Sequence, residues 1–236
     1  MLDYKFIQDY ITSNKGESVS YRWTHGATDK HLGDALVIYS LIQMMRSKIV
    51  VCLGSGGGFI PRVMVQAQRD LKNQGIFDFD YEWNKIQVFI VDAANGVGGN
   101  VDWSDKDSFF RKEFNPRIIL DTTENAYYNF FVKQDLKIDY LHIDADHSYE
   151  GVKNDFNLYS KIVNKNALIS IHDTDQQYHD NLIISDDIEP EDYQPFDGPA
   201  KFINDIGPEW RTFNLFNEGI VKDKPSSTGL TLIQHA

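Results

Sequence analysis

Five strand-sized apolar runs recur from residue 48 onward, and helical patterns stand between the first and second and between the fourth and fifth. The runs are KIVVCL (48–53), KIQVFIVD (85–92), PRIILD (116–121), KIDYLHIDA (137–145) and ALISIHD (167–173). The helical segments are IPRVMVQAQRDLK (60–72), with Pro61 in the first turn where its missing N–H is harmless, and SYEGVKNDFNLYSKIV (148–163), with Tyr149, Val152, Phe156, Tyr159 and Val163 on one stripe. Such runs, apolar on both faces and alternating with helices, require a mostly parallel sheet covered on both sides, an α/β fold. WRTFNLF (210–216) and TGLTLIQH (228–235) lie too close together for a crossover helix, so they predict a closing antiparallel hairpin. Ahead of the first run, residues 33–46 set Leu36, Tyr39, Leu41, Ile42 and Met45 at helical spacing, with Asp34 in the first turn and Arg46 in the last to suit the helix dipole. With no repeat and no low-complexity tract, the 236 residues are read as one domain: a helical cap segment over 1–46 and a core over 47–236.

Charge narrows the partners. Thirty-five acidic residues against 23 basic leave a net charge of −12, which repels phosphodiester backbones and anionic lipid, so nucleic acid and membrane are not expected as partners. Cys52 is the only cysteine, so no intramolecular disulfide can form. The opening MLDYKFIQDY lacks the pattern of a basic segment followed by an apolar run, and no apolar stretch is long enough to span a bilayer. A cytoplasmic protein is the resulting expectation. A homo-oligomer is left open, since no coiled-coil signature is visible.

The first run passes into Gly54-Ser55-Gly56-Gly57-Gly58 and then a helix. Glycines there let the backbone turn sharply and approach a ligand, and the following helix offers free N–H groups. Phe59 stands where a dinucleotide fingerprint needs its last glycine or alanine, and Phe59-Ile60-Pro61 stands where a phosphate loop needs G-K-[ST]. The G-x-G-x-G spacing favours S-adenosylmethionine; a tight strand-to-helix turn with no ligand is the competing reading. Asp92 closes the second run, where a carboxylate can accept both hydroxyls of a ribose.

The fourth run ends in Asp144-Ala145-Asp146-His147-Ser148-Tyr149 and the fifth in His172-Asp173-Thr174. With the glycine loop, GPAKFINDI (198–206) and the closing hairpin, these motifs make the chain resemble class I S-adenosylmethionine-dependent methyltransferases. Within that class it is similar to the macrocin- and cephalosporin-type O-methyltransferases of sugar and natural-product tailoring. The resemblance runs from about residue 48 to the end. It implies a Rossmann-like seven-stranded sheet, S-adenosyl-L-methionine at Gly54, Ser55, Gly56, Gly58, Asp92 and Asp144, and a small-molecule acceptor. In metal-dependent relatives, the positions matching Asp144, His172 and Asp173 hold a divalent cation. The resemblance therefore implies those three as candidate ligands for magnesium or manganese. His172 departs from the pattern, because an acid or amide is usual there and imidazole suits transition metals better than magnesium.

A general base must reach the acceptor hydroxyl with a pKa near working pH. His147 fits by type and by place, and Asp146 is the alternative that other relatives use. Cys52 stands where many relatives carry an acid two residues before the first glycine; with no base beside it in sequence, it reads as a small buried residue. Three segments stand outside the scheme: THGATDKH (24–31), an insertion over 71–84, and an acidic aromatic-bearing loop over 174–197 that fits a substrate lid. The leading functional expectation is O-methylation of a small hydroxylated acceptor, a sugar or natural-product intermediate, with or without a metal. The alternatives are a metal-independent N-methyltransferase and a non-catalytic cofactor- or partner-binding module.

Overall fold

The computed structural model describes residues 32–56, 58–75, 87–93, 106–107, 112, 116–176, 197–215 and 229–236. Segment 24–31, most of the 71–84 insertion, and all of the proposed lid except its ends fall outside these residues.

Among the described residues, seven strands form one sheet: β1 (Ile49–Leu53), β2 (Gln87–Val91), β3 (Arg117–Ile119), β4 (Ile138–Ile143), β5 (Val163–His172), β6 (Trp210–Leu215) and β7 (Leu230–His235). Their order across the sheet is β3-β2-β1-β4-β5-β7-β6. The pairs among β1 to β5 are parallel, and β7 runs antiparallel to both β5 and β6. This is the mostly parallel, hairpin-closed α/β sheet that the apolar runs require. The chain moves outward from β1 through β2 to β3 and then returns to place β4 on β1's other side. The crevice at the carboxyl ends of β1 and β4 is therefore the switch point, where open α/β sheets bind ligands.

Alternate residues of each strand face opposite sides and build two cores. Val50, Cys52, Val88, Ile90 and Tyr140 pack with helices α1 (Asp34–Met45) and α2 (Phe59–Asn73). Val51, Leu53, Phe89, Val91, Leu141, Ile143, Ile169 and Ile171 face the other way. They meet α3 (Thr123–Ala126), the π-turn Tyr127–Phe131 that continues it, α4 (Tyr149–Tyr159) and α5 (Gly198–Ile203). Thr122 caps α3 by accepting from the Asn125 N–H, and Ser148 caps α4 by accepting from Gly151. No helix among the described residues is long and apolar enough to cross a membrane.

Three local expectations change. The buried stripe of α1 is Asp34, Ala35, Ile38 and Ile42, and Leu36, expected on the core side, is 51% exposed. Asp34 therefore points into the protein, where a first-turn acid serving only the helix dipole would face water. Arg46 is the left-handed C-cap of α1 and lies just past its last turn. The fifth strand starts at Val163, four residues before the apolar run: Val163 pairs with Ile138 and Leu168 with Tyr140, so the polar stretch 164–166 is carried in a bulge opposite Asp139.

Candidate active site

The glycine loop is laced to both neighbouring strands. Gly54 N–H donates to the Val91 carbonyl at 2.9 Å, and Asp144 N–H donates to the Leu53 carbonyl at 2.8 Å. Gly54 has φ +78°, and a Cβ there would lie 1.9 Å from the Asp144 carbonyl oxygen, so any side chain would force β1 and β4 apart. Ser55 is buried, and both its N–H and its hydroxyl donate to Asp92 Oδ2, at 2.9 and 2.6 Å. Asp92 thus holds the loop through one carboxylate oxygen, a role its place at the end of β2 does not announce. Among the described residues, nothing lies within 4 Å of where a Gly56 side chain would begin. Gly58 is the N-cap of α2 and provides no side-chain cap, which leaves the positive end of the helix dipole for a polar ligand group. Cys52 is buried, its thiol 3.0 Å from the Gly54 carbonyl, and burial pushes its pKa well up; it braces the loop as a neutral thiol.

Across the crevice, the ends of β4 and β5 bring four side chains into a ring of alternating sign. His147 Nε2 lies 3.0 Å from Asp144 Oδ1 and 3.2 Å from Asp173 Oδ2. His172 Nδ1 lies 3.3 Å from Asp144 Oδ1 and 3.0 Å from Asp173 Oδ1. The two imidazoles differ in depth: the His147 side chain is 24% exposed and that of His172 only 6%. His147 therefore forms the outer member of the ring and His172 its floor. Gly198 supports this arrangement, since a Cβ there would lie 2.3 Å from the His147 carbonyl oxygen; the start of α5 presses directly on the His147 backbone. Asp173 has φ +58°, a left-handed conformation that costs a non-glycine residue roughly 1–2 kcal/mol. It is held there by Thr174, whose hydroxyl accepts from Thr231 of β7 at 2.9 Å.

Electrostatics follow from this geometry. Burial alone would disfavour charge on His172, yet Asp173 and Asp144 raise its pKa well above the usual imidazole range. Burial also pulls against a charge on His147, and the Asp144 hydrogen bond and the Asp173 charge raise it on balance. For Asp173, the upward pull of burial is outweighed by His172 and then His147, which hold the carboxyl below the usual range.

Of the residues singled out in the sequence, Asp144, His147, His172 and Asp173 stand together, and Gly54 touches them through Asp144. Asp146 stands apart. It is exposed, accepts from the Ser148 N–H at 2.9 Å and lies against Gly151, at the entry of α4. Beneath the ring lies a polar string that the sequence reading passed over. His142 Nδ1 and Tyr140 Oη each lie 2.9 Å from the Ser170 hydroxyl, all buried. Burial pushes the His142 pKa down to about 4, so this imidazole is neutral. The polar residues in these otherwise apolar strands share one face, and strict alternation could have revealed them.

Three solved structures share this fold. A candidate caffeoyl-CoA O-methyltransferase from Staphylococcus aureus is 14% identical with a TM-score of 0.63, covering all of this chain and 93% of its own. An O-methyltransferase from Bacillus cereus is 13% identical with a TM-score of 0.60, covering 98% and 97%. The O-methyltransferase TomG from Streptomyces achromogenes is 10% identical with a TM-score of 0.59, covering both chains fully. At these identities the likeness is one of fold. Among curated proteins, uncharacterized protein R132 of Acanthamoeba polyphaga mimivirus is 40% identical over 81 residues, 34% of this chain, and the match spans about a third (32%) of that protein's length. Residues 51–174, from β1 through the end of β5, match the family model described as a methyltransferase domain; they make up more than half of the chain, and the chain belongs to that family.

Proposed function

We propose that this methyltransferase takes its methyl group from S-adenosyl-L-methionine and delivers it to a hydroxyl of a small acceptor, a sugar or natural-product intermediate. The observation that carries the reading is the contact of the two halves of the crevice: the glycine loop meets the acid–histidine ring through Gly54 and Asp144 with no room for a side chain between them. A donor lying on Gly54, Ser55, Gly56 and Gly58, with its ribose at Asp92, would present its sulfonium beside His147. The Bacillus cereus relative was solved with S-adenosylhomocysteine and the Streptomyces achromogenes relative with S-adenosylmethionine, which supports the same donor here. Residues 47–236 serve in this reading as the cofactor-binding core and 1–46 as a cap.

His147 is the proposed base. It takes the acceptor's hydroxyl proton at Nδ1 while its Nε2–H stays on Asp144 and Asp173, the oxygen attacks the methyl carbon in line with the sulfur–carbon bond, and the sulfonium leaves as a neutral thioether. Asp144 and Asp173, both within 3.2 Å of Nε2, stabilise the imidazolium that forms.

A divalent cation is a second component that the donor set fits. Asp144, His147 and Asp173 each offer a ligand atom, and these atoms all lie within 4.8 Å of one another. Two carboxylate oxygens and an imidazole nitrogen suit manganese better than magnesium. His172, the ligand implied by resemblance, lies deeper, behind both carboxylates. A bound cation would act as a Lewis acid that lowers the pKa of the acceptor hydroxyl. Titration calorimetry with S-adenosylmethionine tests the donor: binding is expected, and silence at millimolar donor would refute the reading. Exhaustive EDTA treatment tests the metal, which predicts lost turnover with donor binding intact; unchanged turnover assigns the chemistry to His147 alone.

A further inference from the structure

Asp34 breaks the pattern of its own helix. It shares a stripe with Ile38 and Ile42 at four-residue intervals, and both isoleucines are wholly buried in the core. An apolar side chain is what that stripe calls for at residue 34. The side chain there is only 10% exposed, and taking a carboxylate out of water is costly unless it meets a partner. It does not cap the helix, because the N-cap is Gly33. Its Oδ2 lies instead 3.7 Å from His172 Nε2, the imidazole nitrogen opposite the one that faces Asp144 and Asp173.

The geometry points to Asp34 as a positioning residue for the methyl-transfer site: through His172 it fixes the ring whose other nitrogen sets Asp144 and Asp173, and through these it places His147. A carboxylate behind a buried imidazolium pairs with its second N–H side, stabilises the charge and biases the ring's orientation, and losing such a partner commonly disturbs everything in front of it. Here the partner comes from α1, outside the residues that match the methyltransferase model. The cap segment thereby contributes to the site from below. The inference rests on the methyltransferase reading for its meaning but not for its test.

The test is long-range proton–nitrogen NMR of the full chain with nitrogen-15-labelled histidine, on wild type, Asp34→Asn, Asp34→Glu, His172→Asn and the double variant. Asp34→Asn should move the ring resonances of His172 and also those of His147, which meets the ring through Asp144 and Asp173. Asp34→Glu, with reach to spare across 3.7 Å, should return both towards wild type. His235, on the last residue of β7, should stay put. In the His172→Asn background, adding Asp34→Asn should leave His147 unmoved. The inference is overturned if His172 keeps its wild-type resonances in Asp34→Asn, if Glu perturbs as much as Asn, or if His147 still responds without His172. Movement of every histidine together with a lowered melting temperature would likewise overturn it, marking Asp34 as a general support of the fold. Calorimetry with S-adenosylmethionine on the wild type separates the two ideas: no binding there fails the methyltransferase reading, whatever the spectra show.

Discussion

On the β1–β2 side of the crevice the backbone does the shaping, whereas on the β4–β5 side charged side chains do. The first side has a glycine loop, one buried serine and a single carboxylate already engaged with that serine. The second has two carboxylates and two imidazoles joined by acid–histidine contacts of 3.0–3.3 Å, with the neutral His142 beneath them. A donor common to many reactions needs a fixed shape, which backbone provides at little risk of titration. Moving a proton from an acceptor needs groups of adjustable charge. The two sides should therefore fail differently when mutated.

The largest effect belongs to the charged side. His147→Ala should reduce turnover by about 10²–10⁴-fold, the usual contribution of a general base, with donor affinity nearly unchanged. Because Asp144 and Asp173 raise the His147 pKa, the neutral base accumulates only as pH passes above the ordinary imidazole value of about 6.5. The acidic limb of kcat/KM should therefore lie on the alkaline side of that value. An Ala variant that keeps its turnover would break the comparison at its strongest point.

Gly54→Ala attacks the shaped side. A methyl group 1.9 Å from the Asp144 carbonyl oxygen, on a residue with positive φ, should destabilise the fold by about 3 kcal/mol and abolish donor binding. Chemical denaturation and calorimetry together check this, and a variant that binds donor normally would show the loop to be more yielding than its contacts imply.

How much of this was legible beforehand divides along the same line. The glycine loop, Asp92 and the strand-end acids and histidines could be located because strand ends are marked by the sequence itself: an apolar run stops and polar residues begin. The rotation of α1 could not, because Leu36 and Ile38 are equally apolar and only packing decides which faces inward. Nor could Asp34's role, since a first-turn acid is ordinary until the helix is seen turned inward over His172. Asp146 and His147 are neighbours of equal promise in sequence, and they part only because Asp146 turns to the entry of α4 while His147 turns to the ring. The π-turn after α3 has no sequence signature of its own.

A smaller effect probes how far the charge-rich character extends below the site. Asp155 of α4 is buried and accepts a hydrogen bond from the Thr123 hydroxyl; burial still pushes its pKa up to about 6, despite the lowering effect of that bond. A raised folded-state carboxyl pKa means the folded protein binds the proton more tightly, so stability falls as pH rises from about 4 to about 6 and the cost persists above that. Asp155→Asn should be more stable than wild type by roughly 1–3 kcal/mol at pH 7 and should lose that advantage below about pH 4. Denaturation curves at the two pH values decide it.

The smallest pair of effects separates ligand contact from loop support on the donor side. Asp92→Ala should weaken donor binding by about 1–3 kcal/mol, the range for losing a charged acceptor, while Ser55→Ala should cost only about 1 kcal/mol. Equal losses would reduce Asp92 to a brace for Ser55.

The most direct test of the central claim is a crystal structure of the protein with S-adenosylhomocysteine. The claim that the shaped side holds the donor against the charged side predicts the nucleoside along Gly54–Gly58 with its ribose at Asp92, and the sulfur turned towards Asp144, His147 and Asp173. A ligand seated elsewhere, or one on the glycine loop with its sulfur turned away from His147, would contradict it.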